Sequence, residues 1–129
     1  MKSIENRKDV NNLVCLFYDK IKTDDLLGPI FNYHIAPEAW EGHLEKLTDF
    51  WESNLFGVRK FKGRPGQKHI IVDRDQNNTI SVKHFEQWLA LWFRTVDELY
   101  DGELAERAKK TALNIGQRQF QLIMNARPR

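Results

Sequence analysis

Four side chains carry the chemistry this chain could perform: Tyr18, His43, His69 and Trp88. His43 lies inside an apolar stripe at helical spacing. His69 follows a segment containing Gly63, Pro65 and Gly66 and leads into Ile70-Ile71-Val72, an apolar context that favours burial. Tyr18 and Trp88 each place a polar hydrogen on an otherwise apolar helix face. A buried imidazole can hold a metal such as iron, and a phenol or indole can donate a hydrogen bond to whatever the metal binds. These residue types predict a largely dry, metal-bearing pocket between helices.

Other chemistries lack the residues they need. There is no HExxH, no Cys/His cluster and no carboxylate set at helical spacing, so zinc and di-iron centres have no support. No GxSxG, P-loop or GxGxxG occurs, which leaves acyl transfer and nucleotide chemistry without a motif. Each candidate also has a plainer reading. His43 on its stripe can be a satisfied core histidine, and Tyr18 a core phenol whose hydroxyl reaches a carbonyl. His34, in a turn after Asn32-Tyr33, and His84, in the first turn of a helix, read as surface residues. Cys15, between Val14 and Leu16, reads as a packed thiol rather than a nucleophile.

The elements that must position these groups are helical. At 129 residues the chain predicts one domain, residues 1–129, with a single core. Apolar residues make up 41%, which excludes disorder. A net charge of +2 without a long Lys/Arg run argues against a nucleic-acid partner. The opening MKSIENRKDV has no apolar centre, so no signal peptide is expected, and no apolar run is long enough to span a membrane. The only cysteine, Cys15, rules out a disulfide within the chain and fits a reducing cytoplasm.

Apolar residues at Val10, Leu13, Val14, Phe17, Tyr18 and Ile21 predict a first helix, which Ser3 can cap and Thr23-Asp24-Asp25 ends. Leu26 to Phe31 is apolar but broken by Gly28-Pro29, so it predicts a buried turn or short helix. Pro37-Glu38 opens a second long helix, with Trp40, Leu44, Leu47, Trp51 and Leu55 on its face and His43 and Phe50 on one flank. Residues 57–68 hold three glycines and Pro65 and predict irregular chain. Asp73 to Asn78 is polar and predicts a mobile loop. Ser81 can cap a third long helix with Phe85, Trp88, Leu89, Trp92, Val96 and Leu99 on one side. Asp101-Gly102 breaks it. A last helix runs from about Glu103 to Asn125, its face formed by Leu104, Ala105, Ala108, Ala112, Ile115, Gln119 and Leu122. No segment alternates as a strand would, so the class is all-α. The four tryptophans are more than a core this size needs. They read as core filling or as aromatic walls around a large flat ligand.

The residues also resemble a known family. Phe17-Tyr18-Asp19-Lys20-Ile21 and Leu27-Gly28-Pro29-Ile30-Phe31 resemble the opening of a truncated haemoglobin, as does Trp40-Glu41-Gly42-His43-Leu44 leading to Phe50-Trp51. Phe61-Lys62-Gly63-Arg64-Pro65 followed by His69 is similar to the proximal segment of the group III branch. His84-Phe85-Glu86-Gln87-Trp88-Leu89 is similar to the start of its helix G. Glycine pairs at helix ends mark groups I and II, and their lack here favours group III. The resemblance covers about residues 10 to 120, with its motifs in order.

This resemblance implies a shortened two-on-two globin with helices B, E, G and H around haem b, iron protoporphyrin IX. His69 matches the proximal iron ligand. Tyr18, His43, Leu47 and Trp88 match the pocket on the opposite, distal side. Phe31 matches the phenylalanine that wedges against the porphyrin. Phe50, Phe61 and Lys68 are expected to touch the haem, with Lys68 and Arg64 near its carboxylates. The implied ligands are O₂, CO, NO, cyanide or peroxide. Two donors on the ligand imply slow release, which suits redox, NO or peroxide chemistry with an unidentified reductase better than oxygen transport. A peroxidase-like activity needs a distal base, and His43 is the candidate. On residues alone a non-haem all-α interaction domain stays open, with its histidines and tryptophans merely core.

Overall fold

A computed structural model describes residues 2–58, 72–76 and 79–127. Its helices are α1 (Arg7–Thr23), α2 (Gly28–His34), α3 (Trp40–Phe56), α4 (Val82–Leu99) and α5 (Glu103–Ala126). A single 3₁₀ turn, Pro37–Ala39, precedes α3. The described residues contain no strand, only an isolated bridge between Lys2 and Tyr100. The fold class is all-α, as expected.

Helix α1 forms the centre. Its stripe of Val10, Leu13, Val14, Phe17, Tyr18 and Ile21 is buried throughout. It starts one turn later than expected: Asn6, not Ser3, is the cap, accepting the Asp9 N–H at 3.0 Å. Asp9 in the first turn and Lys20 and Lys22 in the last complement the helix dipole. α1 packs against α2, α3 and α4, while α4 pairs with α5. Two helix pairs, α1 with α3 and α4 with α5, are thus joined through the α1–α4 contact.

The turn from α1 to α2 is built by Asp24. Its carboxylate accepts the N–H groups of Leu26 at 3.1 Å and Leu27 at 2.9 Å, and a hydrogen bond from the Gln87 amide at 2.6 Å. Gly28 is required here: a Cβ would sit 2.7 Å from the Lys22 carbonyl oxygen. α2 is therefore a true short helix, though Leu26 is exposed rather than buried. Gly57, at a φ of 71°, ends α3.

Small residues set the α4–α5 approach. Ala105, Ala108, Ala112 and Gly116 line the buried face of α5. Against this seam lies Trp92, fully buried, its indole N–H donating to the Ala108 carbonyl at 3.1 Å. Trp51 stacks on Trp92 with centroids 4.4 Å apart and planes 21° from parallel. On α5 the inward residue of the last turns is Ile123, while Leu122 is exposed.

The polar stretch at Asp73 is not the loose loop its composition predicts. Residues 72–75 make a helical turn, and Asp73 is only 2% exposed. Its carboxylate accepts the Ile80 N–H at 3.0 Å and the Arg127 guanidinium at 2.8 and 3.0 Å. Arg127 also donates to the Ile80 carbonyl. A carboxylate that caps a turn and pairs with the distant chain end is worth burying.

Candidate functional site

The site is built around Tyr18. The central position of α1 buries this residue to 6% exposure. Four rings surround it: Phe17 with centroids at 4.8 Å, His43 at 5.8 Å, Phe31 at 5.9 Å and Trp40 at 5.9 Å. All but Trp40 meet it edge to face, the arrangement ring quadrupoles prefer. Trp88 provides the polar contact. An indole can only donate, so its N–H gives a hydrogen bond to the phenol oxygen. Burial pushes the Tyr18 phenol far above its ordinary range, and the Trp88 hydrogen bond opposes this only in part. Tyr18 is thus a neutral O–H donor at any physiological pH.

Helix spacing explains which groups meet. On α3, Trp40 and His43 lie three positions apart on one face, with centroids at 5.6 Å. Leu47, one turn beyond His43, is half-buried against the core, as are Leu44 and Phe50. On α4, Trp88 touches Phe17 edge to face at 5.8 Å and lies parallel to Trp92, 6.5 Å away and within 6°. The Lys22 ammonium stands over the Trp40 ring at 4.4 Å, a cation–π contact at the rim. Half-buried Phe31, Leu44, Leu47 and Phe50, together with the buried Tyr18 phenol, make an apolar wall that carries a polar hydrogen. That combination suits a flat apolar group carrying a small polar ligand.

The structure therefore brings together Tyr18, His43, Phe31 and Trp88, and places Leu47 and Phe50 on the adjoining wall. A second arrangement of the donors is also open. The sequence aims the Tyr18 and Trp88 donors at the same ligand in parallel. In the structure Trp88 also bears on the Tyr18 phenol itself, which allows the two to act in series, the indole N–H on the phenol oxygen. Trp40 is a member of the site that sequence reasoning missed; its place three residues before His43 was the available signal. His34 and His84 are half-buried rather than exposed. His34 lies 3.4 Å from the Gln76 amide. His84 accepts the Ser81 N–H on Nδ1 at 2.9 Å, so Ser81 does start α4, and burial lowers the imidazole's pKa. Cys15 is half-buried, and burial raises its thiol. His69, Phe61, Lys68 and Arg64 lie outside the described residues.

Known proteins share the sequence pattern and the fold. The family model of the bacterial-like globins matches residues 2–120. The chain is 32% identical over 101 residues to the group 3 truncated hemoglobin ctb of Campylobacter jejuni, covering 77% of this chain and 76% of that one. It belongs to the bacterial-like globins, as a truncated haemoglobin of group III. This globin superposes on the crystal structure of group III truncated hemoglobin from Campylobacter jejuni with a TM-score of 0.84, at 28% identity and 95% coverage of both chains. The family match speaks against the interaction-domain reading. Among the described residues of the globin, no helix is long and apolar enough to cross a membrane.

Proposed function

We propose that this globin holds haem b through His69 and takes O₂, CO, NO or cyanide on the side occupied by Tyr18. The observation that carries the reading is the buried phenol whose oxygen receives the Trp88 N–H inside an aromatic cage. Its single cysteine forms no Cys-x-x-Cys-His run, so a non-covalent haem b is the form proposed. Phe31, Leu47 and Phe50 would line the porphyrin, with Phe61, Lys68 and Arg64 as its further contacts. When bound, the haem supplies an iron with one coordination position for a small ligand and the capacity to change oxidation state.

The protein's own part is to hold the ligand once it carries partial negative charge. Tyr18 gives its O–H to the ligand while Trp88 donates to the Tyr18 oxygen. Hydrogen bonds in such a chain polarise one another, so the indole strengthens the phenol as a donor. In a water-excluding cage such a donor is worth roughly 1–3 kcal/mol, one to two decades in release rate. Tight retention suits redox, NO or peroxide chemistry with a separate reductase in a reducing cytoplasm, rather than oxygen transport. His43, facing the Tyr18 ring, is the group placed to gate entry or to move a peroxide proton.

An optical spectrum of the purified protein, with and without dithionite and CO, tests the reading. A Soret band that shifts on reduction and again with CO is expected. His69→Ala should lose stable haem or leave haem that added imidazole rescues. A colourless protein, or a His69→Ala variant with unchanged haem affinity and Fe–His stretch, would refute it.

A further inference from the structure

The tryptophans in the core form a line, and nothing in ligand binding requires one. Trp88 donates to Tyr18 at one end. Its ring lies parallel to Trp92, 6.5 Å away, and Trp92 is stacked on Trp51 at 4.4 Å. Phe17 fills the angle between them, with centroids 4.8 Å from Tyr18, 5.8 Å from Trp88 and 5.0 Å from Trp92. Phenol and indole rings are among the side chains that most readily lose one electron. Parallel rings in near contact couple electronically far better than the backbone between them.

We propose that Tyr18, Trp88, Trp92 and Trp51 form a relay that carries oxidising equivalents from the haem pocket to the Trp92–Trp51 stack. The globin would thereby reduce peroxides with electrons drawn from its own core. This inference rests on the haem reading above.

The electrons and protons balance. Hydrogen peroxide takes up two electrons and two protons as its O–O bond breaks, leaving two molecules of water. Two indoles each lose one electron and keep their N–H protons as radical cations, and the two protons come from solvent at the pocket. A small one-electron reductant, such as a phenol or an enediol, then returns an electron to each indole, gives its proton to solvent and leaves as its own radical.

Local chemistry gives the relay a direction. The stacked Trp92–Trp51 pair spreads a positive hole over two rings, which makes it easier to oxidise than an isolated indole. The Trp92 N–H donates to the Ala108 carbonyl, a group too weakly basic to take the proton. A hole on Trp92 therefore stays mobile instead of being trapped by deprotonation. The other branch from Tyr18 leads to Trp40, where the Lys22 ammonium lies 4.4 Å from the ring. A fixed positive charge there opposes creation of a second one. Holes should collect on Trp92 and Trp51 and avoid Trp40.

The test is to mix the ferric, haem-loaded protein with hydrogen peroxide. Freeze-quenched samples with ring-deuterated tryptophan are read by electron paramagnetic resonance, and peptides are mapped by mass spectrometry. A tryptophan radical and oxygenated Trp51 are expected, with Trp40 unmodified. Trp92→Phe should lose Trp51 oxygenation and bleach its haem faster. Because Trp92 is a core residue, Trp51→Phe serves as the second variant; it should lose the long-lived radical and bleach faster with the fold intact. Lys22→Met should make Trp40 oxygenation appear. A haem-loaded protein with no tryptophan radical, or with bleaching identical in the parent and Trp51→Phe, overturns the relay alone. A protein with no Soret band overturns the haem reading and the relay together.

Discussion

The two ends of α1 bury polar groups in opposite ways. At the N-terminal end every buried group is heavily tied. The Asp9 carboxylate accepts from Lys2 at 2.7 Å and from the Glu5 N–H at 2.8 Å, and its carbonyl accepts the Tyr100 hydroxyl at 2.9 Å. Arg7 reaches Glu52, Asp49 and Glu45 of α3, each at 2.7 Å. At the C-terminal end Tyr18 sits among rings, with one indole N–H on its oxygen. The first arrangement fixes helices to one another. The second keeps an O–H donor dry and able to turn. A hydrogen bond already committed is scaffold, and one held in reserve is chemistry.

That contrast can be broken at either end. The largest effect is expected from Tyr18→Phe. O₂ release should quicken by about ten- to a hundredfold, equivalent to roughly 1.4–2.8 kcal/mol. Chemical unfolding should show stability changed by less than about 1 kcal/mol, because the ring packing survives. A fall in stability without a change in release would make Tyr18 scaffold as well.

Arg7→Leu should do the reverse. It leaves Glu52, Asp49 and Glu45 without their shared cation, and solvent screens part of the loss. Stability should fall by about 1–2 kcal/mol with O₂ release unchanged. Trp88→Phe comes next, with release quickened about tenfold, or about 1.4 kcal/mol, as the Tyr18 hydroxyl loses its polarising partner. Unchanged release and unchanged Fe–CO vibrations would reduce Trp88 to core.

The smallest effect is on the pH profile of stability. Burial raises the phenols of Tyr18 and Tyr100 above their ordinary value of 10.0. The unfolded chain then releases protons that the folded one keeps. Stability is fully present below pH 10.0 and declines as the pH rises toward the folded values. Asp9 works at the acid end. Its pKa is held below 3.8, chiefly by Lys2, so its contribution is present above that pH and lost as the pH falls further. Thermal melts across pH should show the alkaline decline reduced in Tyr18→Phe and the acid decline reduced in Asp9→Asn.

How much of this was legible in the sequence depended on distance along the chain. The α1 stripe was legible because helical period and burial coincide at six positions. Tyr18, His43 and Trp88 could be singled out because polar groups on apolar stripes are conspicuous. The serial hydrogen bond from Trp88 to Tyr18 was not legible, since it depends on how α4 is seated against α1. Asp73 was misread for the same reason. Its polar neighbours imply solvent, and the Ile80 N–H together with Arg127, far along the chain, makes burial favourable. The cap at Asn6 rather than Ser3 was a choice between two competent side chains that local pattern does not decide.

The most direct test of the serial arrangement is a double-mutant cycle on O₂ dissociation with Tyr18→Phe, Trp88→Phe and the double variant. If the indole acts through the phenol, removing Trp88 should matter little once the Tyr18 hydroxyl is gone. The coupling energy should then be on the order of 1 kcal/mol. Additive effects, with all three variants folded and haem-loaded, would mean that each side chain acts on the ligand independently and would contradict the account.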